Sequence, residues 1–299
     1  DLFSEKIREL LARLPVDYEE VQEIRLRAEK PLLIRYGTRE YFVTEDGKLS
    51  EEESEGFLVD KKELMETMEY IANYSMYAYE EELKQGYLTV RGGHRIGVAG
   101  KIIMDGNRIS SVRYISFVNV RLSHERKGCA DQIMPYVFEN GELCHCMIIS
   151  PPGCGKTTLL RDLIRQVSDG TDCEPLRVAL ADERGEVAAL YQGLPQLDVG
   201  AHTDVLDGCP KAQGLMLLLR AMNPQVLAVD EITAPEDVAA LCAAAGCGVT
   251  VLATAHGENR EDLLRRAVYA PLWERGLFRR LVTIRRGQTG REYVVEELN

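Results

Sequence analysis

The segment from Ser150 to Thr158, SPPGCGKTT, constrains the fold more than any other part of this sequence. It follows the apolar run CMII and precedes apolar residues that recur at helical spacing until Gly170, a residue type that often ends helices. This is the P-loop pattern, with Ser150 at the position where the strictest form has glycine. The sequence therefore predicts a strand, a phosphate-binding loop and a helix in direct succession.

The P-loop pattern also predicts which groups meet a ligand. Successive backbone N–H groups and the positive end of the helix dipole cradle phosphates. Lys156 is expected to reach the β- and γ-phosphates, and Thr157 to offer its hydroxyl to Mg²⁺. The predicted cofactors are thus ATP and Mg²⁺. The predicted nucleotide-binding residues are Pro152, Gly153, Cys154, Gly155, Lys156, Thr157 and Thr158.

Three further apolar runs follow the P-loop. They are VALA before Asp182, VLAV before Asp230, and VTVLA before Thr254. Apolar strands that alternate with amphipathic helices predict a parallel sheet covered on both faces. Polar residues at the carboxyl ends of such strands meet at the edge where open α/β sheets bind ligands.

Several of these polar residues are candidates for chemistry. Asp230 and Glu231 fit a Walker B strand, in which Asp230 holds Mg²⁺ directly or through water and Glu231 orients or deprotonates the attacking water. The segment DERGE, from Asp182 to Glu186, adds carboxylates to this edge, which is unfavourable unless a cation or an arginine compensates. This cost is an argument for a metal-nucleotide site at the edge. His256 is placed to sense a γ-phosphate. The alternatives are an exposed helix start at Glu231 and a structural histidine.

Residues 1–125 are predicted to form a smaller α+β domain, and residues 126–299 the α/β domain. Apolar residues at helical spacing from Leu2 to Leu14 predict a first helix, which Pro15 ends. An aromatic stripe with Tyr70, Tyr74 and Tyr77 is interpreted as core packing of a second helix rather than a base-stacking platform. The predicted strands are Glu23–Arg27, Leu32–Tyr36, Tyr87–Val90, Arg95–Val98 and Arg113–Phe117.

Charge is distributed unevenly along the first half. Residues 40–82 carry a net charge of −11, whereas residues 83–128 carry +7. The acidic run from Glu51 to Glu55 is interpreted as a solvated loop, with a docking site for a basic partner as the alternative. The basic segment is rich in glycine and β-branched residues.

Composition excludes several classes of protein. The 299 residues carry a formal net charge of −12, which disfavours a dedicated nucleic-acid binder. No run of about 20 apolar residues predicts a membrane span, and no signal peptide pattern opens the sequence. The 8 cysteines are interpreted as reduced, mostly buried thiols, which is typical of a cytoplasmic protein. A zinc site at Cys144-His145-Cys146 is the alternative, and it would need a further ligand.

The order of P-loop, acidic box, Walker B strand and histidine box resembles the secretion ATPase superfamily, the motors of type II and type IV secretion and of pilus retraction. Within it, the chain most resembles the stage III sporulation AA family. The segments that carry the resemblance are EIRLR (23–27), GYLTVRGGHRIGVAG (86–100), FVNVR (117–121), PPGCGKTTLLRDLIR (151–165) and ATAHG (253–257). The resemblance covers nearly the whole chain. It implies an N-terminal PAS-like domain, a RecA-like ATPase domain and a ring, usually hexameric.

The resemblance also implies roles for individual residues. The catalytic glutamate falls on Glu231, the acidic box on the segment that ends at Glu186, and the histidine box on His256. Secretion motors usually carry glycine before the catalytic glutamate, and Asp230 at this position leaves open whether it or Thr157 dominates Mg²⁺ positioning. The arginines that resemble phosphate-contacting residues of the N-terminal domain are Arg91, Arg95 and Arg121, with Arg113 as a further match. A surface role or a local ion pair is the alternative for each arginine.

The implied activity is Mg²⁺-dependent ATP hydrolysis that energises or assembles a membrane-embedded channel or secretion complex during endospore formation. The implied partners are further copies of the chain and membrane proteins of that complex, and the implied location is the cytoplasmic, mother-cell side of the membrane. Arg220 is a further candidate at a subunit interface. A nucleic-acid translocase with a RecA-like core and a nucleotide-gated scaffold with little turnover remain as alternatives. The −12 charge disfavours the translocase, and Glu231 disfavours the scaffold.

Overall fold

A computed structural model describes residues 2–73, 75, 79–84, 86–287 and 290–298. The chain divides into two units, Asp1–His124 and Glu125–Asn299, at a boundary one residue from the predicted one. Each unit has hydrophobic residues of its own that are packed against each other.

The N-terminal unit combines helices with an antiparallel sheet. Its helices are α1 Glu5–Arg13, α2 Lys61–Ile71 and α3 Glu80–Lys84, with 3-10 turns at Tyr18–Glu20 and Glu53–Glu55. Its strands are β1 Val21–Arg27, β2 Lys30–Pro31, β3 Leu33–Tyr36, β4 Arg39–Val43, β5 Leu49–Ser50, β6 Leu58–Val59, β7 Tyr87–Thr89, β8 Arg95–Asp105 and β9 Arg108–Arg121. Among the described residues, the main sheet has seven strands in the order β5-β4-β3-β1-β9-β8-β7.

The two faces of this sheet differ sharply because successive side chains of a strand alternate between them. One face is apolar and buried: Ile24 of β1 lies beside Val120 of β9, which lies beside Ile96 of β8. The opposite face is polar. There Glu23 of β1 lies beside Arg121 of β9, and Arg121 lies beside Arg95 of β8.

The C-terminal unit alternates strands and helices. Its helices are α4 Met134–Val137, α5 Lys156–Asp169, α6 Lys211–Ala221, α7 Pro235–Gly246, α8 Arg260–Arg265 and α9 Ala270–Glu274, with a 3-10 turn at Ala267–Tyr269. Its strands are β10 Phe138–Glu139, β11 Glu142–Leu143, β12 Cys146–Ser150, β13 Val178–Asp182, β14 Leu190–Tyr191, β15 Leu194–Pro195, β16 Thr203–Asp207, β17 Val226–Val229, β18 Thr250–His256, β19 Arg280–Arg286 and β20 Arg291–Glu297.

The central sheet of this unit has the order β16-β13-β17-β18-β12-β19-β20 among the described residues. All neighbouring strands in it are parallel except β19 and β20, which are antiparallel. Strands β12, β13 and β17 are buried along their whole length, and hydrophobic clusters cover both faces of the sheet. This confirms the predicted α/β domain and explains why its strands read as continuous apolar runs.

The helix after the P-loop begins and ends where the sequence predicts. Gly155 precedes α5 with φ 98°, and Gly170 follows it with φ 76°, so both glycines adopt left-handed conformations that side chains disfavour. The α5 residues that form the predicted apolar stripe are Leu159, Leu160, Leu163, Ile164 and Val167, and all are buried. Within the described part of the chain, no helix is long and apolar enough to cross a bilayer.

Two alternatives from the sequence can be compared with the structure. Cys144 and Cys146 are buried, the ring of His145 accepts the Val251 N–H at 3.1 Å, and no group of three or more potential metal-binding side chains occurs among the described residues. Of the eight cysteines, Cys144, Cys146 and Cys154 are buried, whereas Cys247 is exposed and the other four are half-buried, so the prediction of mostly buried thiols is wrong. Helix α2 ends at Ile71, and Tyr74 and Tyr77 lie outside the described residues.

Candidate functional site

The carboxyl ends of three parallel strands bring the predicted chemical residues together. Strand β18 lies between β17 and β12, so the P-loop that follows β12 adjoins the residues that end β18. In the register of β12 and β18, Ser150 lies directly beside His256. Asp230 and Glu231 follow β17, the next strand in the sheet.

Lys156 lies at the centre of this cluster and is buried. Its ammonium group donates to the backbone oxygens of Ser150 and Pro151, at 3.0 and 3.3 Å, and to the Nδ1 atom of His256 at 3.0 Å. Burial lowers the pKa of Lys156, although the carboxylates of Asp230 and Glu231 act in the opposite direction. The charge is therefore held inside the loop that would receive the phosphates.

His256 connects Lys156 to the predicted catalytic glutamate. A lysine ammonium can only donate, so Nδ1 of His256 accepts and the ring proton resides on Nε2. That Nε2–H donates to Glu231 Oε1 at 2.5 Å. The tautomer of His256 is thus set by its two neighbours, and the imidazole contacts both Lys156 and the carboxylate of Glu231.

Asp230 is bonded to two hydroxyl groups. The Thr157 hydroxyl donates to one carboxylate oxygen at 2.7 Å, and the Thr254 hydroxyl donates to the other at 2.5 Å. Thr157 and Asp230 are oxygen ligands of the kind that Mg²⁺ prefers, and a Mg²⁺ site of this type uses few protein ligands together with water and substrate phosphates. The residues present therefore fit the predicted ion.

Glu231 is held in an unusual backbone conformation. Its φ is 56°, in the left-handed region, and its N–H donates to the Thr254 hydroxyl at 2.7 Å. Such strain is uncommon outside glycine and concentrates at functional sites. The Glu231 carboxylate also pairs with Arg184 at 3.0 Å, so it has a cation on one side and His256 on the other.

The acidic box is organised by its first residue. Asp182 is buried and accepts the backbone N–H groups of Glu186, Val187 and Ala188, and burial raises its pKa in spite of these hydrogen bonds. The buried Arg161 of α5 donates to the carbonyl oxygens of Glu186 and Val187. The box is therefore a rigid loop fixed to the P-loop helix.

Protein cations compensate part of the carboxylate charge at this edge, so the crowding alone does not require a metal ion. Lys211, which is buried, forms an ion pair with Glu183, and Arg184 forms one with Glu231. Glu186 is half-buried, and its backbone is fixed by Asp182 and Arg161. Its catalytic role stays a prediction.

The predicted P-loop residues form the loop after β12 and the first turn of α5, and phosphate binding by them stays a prediction. Gly153 and Gly155 have positive φ values, and Thr157 and Thr158 lie in the first turn of α5. Cys154 is buried and its side chain packs in the core on the α5 side, so only its backbone can face a phosphate. Pro152 lies in the exposed outer part of the loop.

The predicted arginines of the N-terminal unit share one polar sheet face or its border. Glu23 there pairs with Arg25 at 2.7 Å and with Arg35 at 4.0 Å. Arg121, beside Glu23, forms no hydrogen bond or ion pair with any residue that the structure describes. Arg95 lies over the ring of Tyr87, at 3.6 Å from its centroid.

The remaining arginine predictions concern exposed positions. Arg91 lies in the turn between β7 and β8, Arg113 lies on β9, and Arg220 lies in the last turn of α6. Glu125, a local acid that could have paired with Arg121, accepts the Asp198 N–H at 2.7 Å and belongs to the C-terminal unit. The catalytic roles of these arginines stay predictions.

Sequence reasoning missed three cations near the site. Arg184 was part of the acidic box, but its pairing with Glu231 depends on the distance between two loops 47 residues apart. Lys211 starts α6 and had no motif around it. Arg291 of β20 lies against Gly155, because a Cβ atom built on that glycine would be 2.6 Å from the Arg291 guanidinium carbon. No short sequence motif predicts this contact, because Arg291 lies on an edge strand far from the P-loop in the sequence.

Comparison with known proteins identifies the family of this chain. The profile of the family described as "Sporulation stage III, protein AA" matches residues 1–294. Stage III sporulation protein AA of Bacillus subtilis (strain 168) is 38% identical over 295 residues, which cover 96% of this chain and 90% of that protein.

Solved structures of secretion ATPases share the fold. The pilus retraction motor PilT with bound ADP is 16% identical with a TM-score of 0.64, covering 100% of this chain and 84% of that chain. The ATPase DotB of Yersinia pseudotuberculosis is 13% identical with a TM-score of 0.61, covering 94% of this chain and 76% of that chain. These likenesses confirm the predicted RecA-like, secretion-ATPase fold, whereas the PAS-like character of the N-terminal unit stays a prediction. Because the family match spans nearly the whole chain, this protein belongs to the stage III sporulation protein AA family.

Proposed function

We propose that this protein hydrolyses ATP with Mg²⁺ at the carboxyl edge of the central sheet. The observation that carries the proposal is the continuous contact from Lys156 through His256 to Glu231, beside the pair formed by Thr157 and Asp230. A phosphate-binding lysine, a candidate general base and a Mg²⁺-compatible oxygen pair thus occupy adjacent strand ends. An ATPase needs this combination, because catalysis of phosphoryl transfer consists mainly of positioning and charge stabilisation.

Each residue has a defined task in the proposed reaction. Lys156 moves from the backbone oxygens of Ser150 and Pro151 to the β- and γ-phosphates and neutralises their charge. Glu231 orients the attacking water and accepts its proton. His256 contacts both Lys156 and Glu231, so a movement of Lys156 toward a γ-phosphate changes the position of the imidazole. The imidazole in turn positions the carboxylate of Glu231 when a γ-phosphate is present.

Thr157 and Asp230 are the residues that would hold Mg²⁺. Bound there, Mg²⁺ would offset the negative charge of the phosphates during phosphoryl transfer. Thr254 keeps Asp230 in place through its hydroxyl, and it also fixes the backbone of Glu231. One threonine thus sets the spacing of the two acids.

The arginines of the N-terminal unit complete the proposal. Arg121, together with Arg91 and Arg95, supplies guanidinium groups to the γ-phosphate of a nucleotide bound in the same or a neighbouring subunit. Arg121 lies beside Glu23 and, with Arg25 and Asn119, lowers the pKa of that carboxyl against the effect of burial. Its proposed role at a phosphate therefore rests on the resemblance of the segment FVNVR to the motif of the family. We further propose a homo-oligomeric ring in which Arg220 lies near a subunit interface.

We propose that hydrolysis energises or assembles a membrane-embedded channel or secretion complex in endospore formation, from the cytoplasmic side in the mother cell. Two facts support this: the family is one of sporulation proteins, and the fold is that of secretion ATPases. Purification of the tagged protein from sporulating cells, with and without a crosslinker, tests it by identifying bound membrane proteins.

Paired variants test the enzymatic proposal. Lys156→Ala is expected to abolish tight nucleotide binding, whereas Glu231→Gln is expected to retain binding and lose turnover, because an amide keeps the shape and cannot accept the proton. Calorimetric affinity for ADP and released phosphate are the two measurements. Turnover that persists in Glu231→Gln would transfer the catalytic role to Glu183 or Glu186. Stimulation by nucleic acid with steep salt dependence would favour a translocase instead.

A further inference from the structure

The edge of the central sheet formed by β19 and β20 carries an arginine that contacts the P-loop. Arg291 is the first residue of β20, and its guanidinium lies over Gly155. A Cβ atom on Gly155 would be 2.6 Å from the guanidinium carbon and 2.9 Å from both terminal nitrogens. The guanidinium therefore borders the loop at the point where α5 begins.

A second arginine lies beside it. Arg286 of β19 is directly opposite Arg291 in the antiparallel register, so both side chains leave the same face of the sheet. Both are exposed, and neither forms a hydrogen bond or ion pair with the residues the structure describes. Like charges directly opposite each other are unfavourable in a sheet, so this pair calls for an electron-rich ligand.

The face can be identified from the neighbouring pair. Ile284 lies opposite Tyr293, each two residues from an arginine, and both pack in the core cluster that contains α5. Arg286 and Arg291 therefore project on the α5 side of the sheet. On the other face, Arg285 is opposite Glu292, so its charge has a neighbour of opposite sign.

The strand order determines which end of a nucleotide would reach these arginines. Strand β12 leads into the P-loop, with β18 and β17 on one side and β19 and β20 on the other. The Mg²⁺ and γ-phosphate residues, Asp230 and His256, end the strands on the first side. A nucleotide bound with its γ-phosphate there extends its nucleoside toward β19 and β20.

The surface on this side suits a flat, partly apolar group. A groove of about 540 Å³ lies beside the outer part of the P-loop and is lined by Pro152, Ile284, Arg286 and the acidic Glu258 among others. Arg291 lies over Gly155 and is not one of the described residues that line this groove. Proline and aliphatic walls shield the faces of a base, and a planar guanidinium stacks on aromatic rings while its N–H groups donate to ring nitrogens or ribose hydroxyls.

We propose that Arg291, assisted by Arg286, binds the nucleoside of the nucleotide, a purine base with its ribose, on the β19–β20 side of the P-loop. This inference rests on the proposed function, because it assumes that the P-loop holds the polyphosphate. The edge strand would therefore strengthen the binding of nucleotides and would not affect the binding of inorganic polyphosphate, which has no nucleoside.

The test compares two ligands by calorimetry on the full chain in the presence of Mg²⁺: ADP, and inorganic tripolyphosphate, which has no nucleoside. Arg291→Ala is expected to raise the Kd for ADP about tenfold and to leave the Kd for tripolyphosphate within about twofold. Arg291→Lys is expected to remain at least about fivefold weaker for ADP, because an ammonium has no plane to stack. The retained tripolyphosphate affinity also shows that the variant is folded.

Arg279→Ala is the matched control, since Arg279 is an exposed arginine at the amino end of β19, paired with Glu139. Its Kd values are expected to equal those of the unmodified protein. Unchanged ADP affinity in Arg291→Ala would overturn the inference, and so would an equal loss for both ligands, which would indicate a phosphate contact. If Lys156→Ala still abolishes binding, the P-loop function survives either result. If the unmodified protein binds neither ligand, the proposed function itself is refuted together with the inference.

Discussion

Replacement of His256 tests whether the contact between the phosphate-binding lysine and the catalytic glutamate matters for turnover. The imidazole accepts from Lys156 through Nδ1, at 3.0 Å, and donates to Glu231 through Nε2. His256→Ala removes both hydrogen bonds and leaves the strand otherwise intact, because the side chain lies at the last residue of β18. We therefore expect a loss of turnover rather than a loss of folding.

The structure sets the size of this loss. A hydrogen bond to a charged group contributes about 1.5–3 kcal/mol. In the proposed reaction Lys156 contacts the phosphates, so loss of the imidazole acts mainly on the orientation of Glu231. Glu231 keeps the partly exposed Arg184, whose contact is worth little in solvent. The expected effect is thus about one such bond, or roughly a 10- to 150-fold lower kcat.

Two amide variants identify which nitrogen is responsible. The side-chain N–H of His256→Gln can replace the Nε2 donor to Glu231, whereas the oxygen of His256→Asn can replace the Nδ1 acceptor of Lys156. If orientation of Glu231 limits turnover, the Gln variant retains more kcat than the Asn variant. The assay is steady-state phosphate release per folded molecule, with the Kd for ADP expected to change less than about threefold.

A histidine at the other end of the sheet provides the control. His202 precedes β16, and its ring contacts the Ser168 carbonyl at 2.8 Å, so His202→Ala removes an imidazole without touching the site. Its kcat per folded molecule is expected to match that of the unmodified protein. A kcat of His256→Ala within twofold of the unmodified protein would refute the proposed coupling.

Three further variants test other parts of the site. Arg121→Ala is expected to lower kcat at least ~10-fold with little effect on ADP affinity, and Arg121→Lys is expected to restore little of the lost kcat. A normal kcat per folded molecule with a lowered Tm would instead indicate a structural role of Arg121 beside Glu23. Asp182→Ala leaves three buried N–H groups without an acceptor, so hydrogen exchange of those amides is expected to accelerate ~100-fold, and unchanged protection would contradict the assigned bonds. Gly155→Ala is expected to weaken ADP binding at least ~10-fold, because φ is 98° and the new methyl group meets Arg291; equal affinity would show that the loop tolerates the change.

The local sequence was sufficient to predict the buried strands of the C-terminal unit and the limits of the helix after the P-loop. Strands β12, β13, β17 and β18 read as apolar runs because both sheet faces are covered. The predicted polar residues end β12 and β13 and directly follow β17, whereas β18 continues two residues beyond Thr254 to His256. The limits of α5 followed from Gly155 and Gly170, since both adopt conformations that glycine favours. The acidic box and the Walker B pair were likewise visible in short segments.

Only the tertiary structure decided which of these residues touch. Contact between Lys156 and His256 joins positions 100 residues apart, and it exists because β18 pairs with β12 in one particular register. The pairing of Arg184 with Glu231 and the position of Arg291 over Gly155 depend in the same way on strand order. Hydrophobic periodicity specifies that a strand is buried, but it does not specify its neighbour. The local sequence therefore specifies which side chains lie at the edge of the sheet. The contacts between these side chains form only when the strands pair in their final order.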